Sequence, residues 1–545
     1  MRFVGILGII ALLGIAYLMS NNRKKINLRT VSWGLALQIL FAGIILGDPP
    51  ILSYLSMLAL LVLIILYIFK DEINAGSPGG SFYIAALSII LTTGLAGIVF
   101  YFLGKVHLLS WVLTLILAVV IIKAVLKISA YQKHLVTGLL VAGYVWLFSN
   151  QFTGENIFAL VTQKVEHFLS LSDYGAQFLF GNLAQKQYFF PNSDTWPGFG
   201  FQFAFSVLPV IIFFASFIGI LYHLGVMQTI IRWMARFMQW TMGTSGTETL
   251  SCTANIFVGQ TEAPLLIRPF IDDMTMSELL TVMVGGFATI AGGVLAGYIA
   301  MGISAGHLIA ASVMSAPAAL AVAKIIYPET ELSKTYGDVD IPKDIIKSTN
   351  LLDAASRGVT DGLKLAVNVG AMLIAFISLI AFVDTVLSFL DRIIDGQLLN
   401  GNYVKYTIVS GSSPVTGEYS GFFPGSLKTL FGTIFRPLAW LMGVQWKYAG
   451  EVGNLLGIKL ALTEFVAYGN LAELKASGAL SDKAIVISTY ALCGFANFAS
   501  IGIQIGGIGA LAPKRRSDLS KVALKAMFGG AIASWLTASI AGILL

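Results

Sequence analysis

Asn255-Ile256-Phe257-Val258-Gly259-Gln260-Thr261-Glu262-Ala263-Pro264 interrupts an otherwise apolar stretch, 243–271, that opens on Gly243-Thr244-Ser245-Gly246-Thr247-Glu248. Glycine and proline at this density do not continue an α-helix. Non-helical backbone at membrane depth is tolerated only where protein or a watery cavity satisfies it. The stretch therefore predicts two short half-helices joined by a polar turn, entering and returning on one side of a bilayer. A second apolar segment, 445–475, carries Thr463-Glu464-Phe465-Val466-Ala467-Tyr468-Gly469-Asn470 and predicts the same device.

The surrounding chain supplies the bilayer context. Of 545 residues, 57% are hydrophobic and 11% charged, and the mean hydropathy is +0.82. A soluble domain carries about 25% charged residues. That contrast excludes a water-soluble globular enzyme, a disordered chain, a nucleic-acid binder and a disulfide-stapled secreted domain. A span needs about 20 apolar residues. Apolar runs occur at 3–19, 31–47, 51–69, 82–103, 108–129, 135–149, 201–224, 280–301, 308–326, 363–387, 484–511 and 521–545. The expected fold class is an all-α polytopic membrane protein. It has about twelve transmembrane helices plus two re-entrant helical hairpins in inverted repeats, and the family resemblance given below adds a division into scaffold and transport domain.

Net charge is +6, and the placement of the charge is informative. Basic clusters at 23–29, 123–134, 232–236, 324–347 and 514–521, the last holding Pro513-Lys514-Arg515-Arg516, fall on one side of this topology. Positive-inside bias makes that side cytoplasmic and places both termini, loop 150–200 and segment 388–440 outside. The first run has Arg2 before it and Asn21-Asn22-Arg23-Lys24-Lys25 after it, the reverse of a cleavable leader. Residues 226–242 and 344–360 are amphipathic and basic, and are expected along the cytoplasmic interface.

Gly286-Phe287-Ala288-Thr289-Ile290-Ala291 resembles Gly494-Phe495-Ala496-Asn497-Phe498-Ala499 at a separation of 208, and the same separation lays Asn255-Ile256-Phe257-Val258 on Thr463-Glu464-Phe465-Val466. Three spans between the two hairpins invert the second copy. Inverted repeats whose broken helices meet near the midplane are a recurrent build of secondary transporters.

Glu262 and Glu464 each lie in the interrupted part of a hairpin. A carboxylate at membrane depth costs several kcal/mol, so it calls for a partner, a cavity or a ligand. Gln260, Thr261, Asn497 and Ser500 add neutral donors and acceptors. With no Arg or Lys beside them, the set suits an uncharged ligand bearing hydroxyls and ring nitrogens, not a carboxylate or phosphate. On side chains alone, a sugar serves as well as a nucleoside. Asn255, Thr289 and freed backbone carbonyls suit a hard cation such as Na⁺. Residue types leave capping by Asn255 and back-bonding by Thr289 equally open.

The remaining features have simpler explanations. The five histidines are scattered near span ends, and Cys252 and Cys493 belong to no metal or redox motif. Gly502-Ile503-Gln504-Ile505-Gly506-Gly507 lacks the strand and Lys-Ser/Thr ending of a phosphate loop, so it is expected to permit close helix packing. A membrane enzyme would need a nucleophile–base pair or metal cluster, and none is evident. A membrane sensor that binds such a ligand without moving it is the rival from another class.

Several motifs resemble the signature of the concentrative nucleoside transporter family. They are Gly243-Thr244 with Thr247-Glu248-Thr249, Asn255 through Pro264, Asn368-Val369-Gly370-Ala371-Met372-Leu373, Thr463 through Tyr468, and Gly494 through Gly502. The likeness covers about 8–47 and 165–545. It implies sodium-coupled nucleoside import by a homotrimer in the cytoplasmic (inner) membrane, with elevator-like movement. No cofactor is implied beyond Na⁺ as coupling ion, with H⁺ the alternative, and no nucleic-acid partner. By motif position, Gly259, Gln260, Thr261 and Glu262 resemble the nucleobase side. Glu464, Asn497 and Ser500 resemble the ribose side, and Val294 and Phe495 would pack on the ligand. The sodium site maps to Asn255, Val258, Thr289 and Ile290. Thr463 departs from the Asn that many members carry there.

The implied organisation begins with N-terminal spans at 1–50 and an additional four-span insertion of unknown role at 51–150. An extracellular loop, span and interfacial helix occupy 151–242. The first hairpin, a broken helix and a span fill 243–330. An interfacial helix, a long crossing helix and an extracellular segment form the scaffold at 331–440. The second transport repeat fills 441–545.

Overall fold

A computed structural model describes residues 2–75, 81–105, 112, 114, 117, 132–189, 202–335, 348–406 and 413–545. Among these, seven helices are long and apolar enough to cross a membrane: 28–46, 50–68, 203–223, 276–300, 305–326, 351–398 and 513–544. The bent pair 133–149 and 154–184 qualifies if taken as one span, and Phe3–Leu18 and Phe498–Leu511 are shorter apolar helices. The chain is a multi-pass, mostly helical membrane protein. The expected span 108–129 falls almost wholly outside the described residues.

The helices used below are α1 (Arg2–Leu18), α2 (Leu28–Leu46), α3 (Pro50–Ile68), α4 (Ser81–Lys105), α5 (Gln132–Ser149), α6 (Gly154–Ser170), α7 (Leu208–His223), α8 (Val226–Met242) and α9 (Gly246–Ala254). They continue with α10 (Met276–Ala288), α11 (Gly292–Ala300), α12 (Ala305–Ile326), α13 (Leu351–Asp391), α14 (Leu427–Leu441) and α15 (Trp446–Ala461). The last four are α16 (Glu464–Ala476), α17 (Asp482–Leu492), α18 (Phe498–Leu511) and α19 (Arg516–Leu544). Short strands β1 (Tyr403–Lys405) and β2 (Gly417–Tyr419) pair antiparallel with Tyr403 opposite Tyr419.

The chain divides into two compact units, Met1–Gln38 with Thr162–Ile543, and Ile39–Val161. In the smaller unit Leu61, Ile65, Phe69 and Val141 form a core. Tyr144 donates to the Tyr54 carbonyl at 3.2 Å, and Ser53 Oγ joins the Ile44 carbonyl to the Gly154 amide, 2.9 Å from each.

In the larger unit α10, α12 and α19 are the buried centre. They are rich in Ala, Gly and Ser, which lets helices approach closely without hydrocarbon attraction to drive them together. The long α13 is the opposite. Leu363, Val367, Ile374, Leu379, Phe382 and Phe389 stand exposed along it, an apolar surface suited to lipid.

The structure corrects the expectation for 344–360. Residues 336–347 are not described, and from Leu351 onward the chain is the first part of α13, not a separate interfacial helix. Asn350 caps it by accepting from the Asp353 amide at 2.9 Å. Gly358 and Gly362, which look like breakers, are packing notches. A Cβ at either would strike the backbone of α7 at Ala215 or Ile212.

Residues 226–242 form one helix, α8, with Met227, Ile231, Ala235, Met238 and Met242 buried on one face. A buried ion pair joins the first repeat. Lys324 Nζ of α12 lies 2.7 Å from Glu248 Oε2 of α9 and 3.4 Å from Glu329. It also donates to Ser277 Oγ at 2.8 Å.

Candidate functional site

Four interruptions of helix carry the residues singled out from the sequence. The first follows α9. Ser245 and Glu248 form a capping box at its start, and Asn255 closes it. Beyond Asn255 the backbone turns tightly, with Val258 N bonded to Ala254 O at 3.0 Å and Ala263 N to Gly259 O at 3.0 Å, before a 3₁₀ segment Ala263–Asp273. The second interruption, 289–291, separates α10 from α11. Gly292 N donates to Phe257 O at 3.1 Å, tying these two breaks together.

Around that junction are oxygen atoms short of donors. Asn255 is 1% exposed. Its Nδ2 donates to Ser251 O at 3.1 Å, but Oδ1 is buried without a partner, as is Ser251 Oγ. Thr289 Oγ donates to Gly285 O at 2.8 Å, which leaves its lone pairs available. Ser312 Oγ bonds the Ile256 carbonyl at 3.2 Å. Both alternatives left open by residue type are therefore present. Asn255 caps α9 and Thr289 bonds back, yet each keeps an acceptor. An orphaned buried carbonyl oxygen costs about 1–3 kcal/mol, which a hard cation with oxygen ligands would offset. Val258 is half-buried and Ile290 buried.

The third interruption separates α15 from α16, where Thr463 caps α16 by accepting from Val466 N at 3.4 Å. Glu464 opens α16, where the positive end of the helix favours a carboxylate. It is 4% exposed, and both oxygens are used. Tyr298 Oη donates to Oε1 at 3.0 Å, and Asn497 Nδ2 donates to Oε2 at 3.0 Å. The Tyr298 ring lies 4.3 Å from Tyr468 and 5.0 Å from Phe465, between centroids.

The fourth interruption, 493–497, separates α17 from α18. Asn497 caps α18 through Ser500 N at 2.8 Å. Gly494 adopts φ +112°, and a Cβ there would strike the backbone of Phe287 and Ala288. The two copies of the Gly-Phe-Ala motif thus cross each other, and only glycine allows that approach.

One chain of polar contacts links the repeats. Gln260 Nε2 donates to Ser500 Oγ at 3.2 Å. Ser500 N is bonded to Asn497, and Asn497 to Glu464. Gln504 Nε2 donates to Gln260 Oε1 at 2.9 Å and to Met283 O at 3.1 Å. Thr261 packs its methyl against Gly507.

Glu262 stands apart from this chain. It is exposed, and its carboxylate folds back over Gly259 beside Ala291. Val294 is buried, Phe495 half-buried and Phe498 exposed. Gln504, Tyr298 and Lys459 were not singled out from the sequence. A Tyr or Gln inside an apolar run needs a partner when buried, and that was the available signal.

Chemically, the arrangement offers amides, hydroxyls and two carboxylates of different exposure. No group of three or more His, Cys, Asp or Glu suited to a metal ion occurs among the described residues.

Comparison with known proteins is consistent across sequence and structure. Residues 7–70 and 307–542 match families described as Na+ dependent nucleoside transporter N-terminus and C-terminus, and residues 204–305 match one described as Gate, nucleoside recognition. The chain is 44% identical over 400 residues to sodium/nucleoside cotransporter 1 of Rattus norvegicus, covering 71% of this chain and 56% of that protein. The chain thus spans little more than half the length of this relative. It is 43% identical over 396 residues to an uncharacterized transporter of Haemophilus influenzae, covering 72% of this chain and 86% of the other. The solved structure of CNTnw in an inward-facing substrate-bound state superposes with a TM-score of 0.71 at 32% identity, covering 100% of this chain and 98% of that one. Variants of CNTnw have also been solved in outward-facing and intermediate states.

Proposed function

Because the chain belongs to the Na⁺-dependent concentrative nucleoside transporter family, we propose that it is a secondary active symporter that imports nucleosides on the sodium gradient. Its relatives are transporters, not enzymes. Nucleoside is the substrate, held on the base side by Gly259, Gln260, Thr261 and Glu262 and on the ribose side by Glu464, Asn497 and Ser500, with Val294 and Phe495 packed against it. The observation that carries this is the continuous polar chain from Gln260 through Ser500 and Asn497 to the buried Glu464.

Na⁺ is held by Asn255 and Thr289 side chains with the Val258 and Ile290 carbonyls. The unpartnered Asn255 Oδ1 supports that assignment. Ion binding orders the break that presents Gln260 and Glu262, so each ligand raises affinity for the other by one shared factor.

The full proposal has about twelve spans with two re-entrant hairpins. Segments 243–330 and 441–545 form a transport domain that moves as an elevator against the scaffold of a homotrimer in the inner membrane. Both termini lie outside. The experiment is labelled uridine uptake into proteoliposomes under an inward Na⁺ gradient, with choline replacement and with a collapsed pH gradient. Uptake should require Na⁺ and survive loss of the pH gradient. Uptake that needs only the pH gradient would replace sodium by protons, and saturable binding without uptake would make the chain a sensor.

A further inference from the structure

Lys459 is wholly buried in α15. Its Nζ donates to Ala491 O at 2.9 Å and Cys493 O at 3.2 Å, carbonyls at the end of α17 where the helix breaks. Burying an ammonium costs several kcal/mol even after relaxation, and a neutral donor could cap a helix end more cheaply.

The repeat separation of 208 lays Lys459 on Ser251, Thr463 on Asn255 and Cys493 on Gly285. Element boundaries follow the same register to within a few residues. The first helix ends at Ala254 and Ala461, the next is capped by Thr275 and Ser481, and the half-helix after the break begins at Gly292 and Phe498. In the first repeat Ser251 Oγ and Asn255 Oδ1 are both buried acceptors without a donor, and Gly285 O accepts from Thr289, a residue of the sodium site proposed above. In the second repeat the corresponding residue is itself a cation, and it satisfies the corresponding carbonyl.

We propose that the Lys459 ammonium is a tethered cation, standing in the second repeat next to the position at which the first repeat takes its exchangeable coupling ion, one hydrogen bond away through the carbonyl that corresponds to Gly285. This rests on the sodium-coupled reading above. The second hairpin then needs no ion from solution. Its carbonyls at the α17 break are permanently neutralised, and the charge holds the break that positions Asn497 against Glu464. Only the first hairpin opens and closes with the gradient, which sets one coupling ion per protomer.

The test compares Na⁺ activation curves of labelled uridine uptake in proteoliposomes, with folding of each variant followed by thermal melting. Lys459→Met keeps the length and removes the charge, and should lower uptake at least about tenfold at any Na⁺ concentration. Pairing Lys459→Ser with Thr463→Asn writes the first repeat's side chains into the second. Uptake should return at raised Na⁺, with the Hill coefficient increasing by about one over the unaltered protein.

The proposal is overturned by a Lys459→Met protein with normal uptake and an unchanged curve. It is equally overturned by a folded double variant that recovers nothing, or that recovers with no change in Hill coefficient. If the double variant does not fold, Lys459→Arg decides. Retained charge should keep uptake well above Lys459→Met with the original curve, and equal losses in the two would leave only a helix-end role. Absence of Na⁺ stimulation in the unaltered protein would instead remove the sodium reading itself.

Discussion

The two repeats share a plan and differ in how the polar side chains named at their helix breaks are satisfied. In the second, Glu464 has a donor on each carboxylate oxygen, Asn497 is locked as a helix cap, and Tyr468 donates to Thr489 O at 2.8 Å. In the first, Asn255 Oδ1 and Ser251 Oγ have no donor and Glu262 is exposed. The difference teaches a division of labour. On the function proposed above, a preassembled half would offer the ligand fixed partners, and an unfinished half would be completed by ion and ligand. Coupling would follow, since the ordering cost met by one ligand is not met again by the next.

The most severe way to break that comparison is Glu464→Gln, which should lower labelled uridine uptake by about 100-fold through loss of a buried charge-assisted acceptor. Thermal melting should show the protein still folded. Normal uptake would remove Glu464 from the preassembled half. Asn255→Ala should raise the Na⁺ concentration for half-maximal uptake by about tenfold while the order of competing nucleosides stays the same. Unchanged Na⁺ dependence would reduce Asn255 to a helix cap.

Tyr298→Phe removes one donor from Glu464 and keeps the ring packing. It should weaken apparent uridine affinity by about fivefold, measured by uptake saturation, with little change in Na⁺ dependence. The smallest effect is expected for Thr463→Ala, which removes the α16 cap and should lower stability by about 1 kcal/mol. A shift in Na⁺ half-saturation larger than that of Asn255→Ala would show that the second half also senses the ion.

Much of this was legible because helix breaks are written in backbone chemistry. Gly259, Pro264 and Gly494 stop helices for local reasons that need no knowledge of neighbours. Gln260, Asn497 and Ser500 were visible as polar side chains beside those breaks.

What stayed hidden depends on partners distant in sequence. Lys459 in Leu456-Gly457-Ile458-Lys459-Leu460 reads like a residue reaching toward a membrane surface. Only the fold shows Ala491 and Cys493 within its reach. Gln504 was absorbed into a Gly-rich packing stretch because glycines dominate the local text, although it bridges Gln260 and Met283. Residues 344–360 read as interfacial because the stretch looks amphipathic and basic, and the pairing of Gly358 and Gly362 with α7 carries no local mark.

The ion pair between Glu248 and Lys324 bears on how the chain is made. Synthesis delivers Glu248 into the translocon well before Lys324 exists, so for that interval an acid in the first turn of α9 has no Lys324 beside it. The first repeat is therefore expected to stay loosely inserted until α12 has left the ribosome. A chain halted before Lys324 is the form most open to membrane proteolysis.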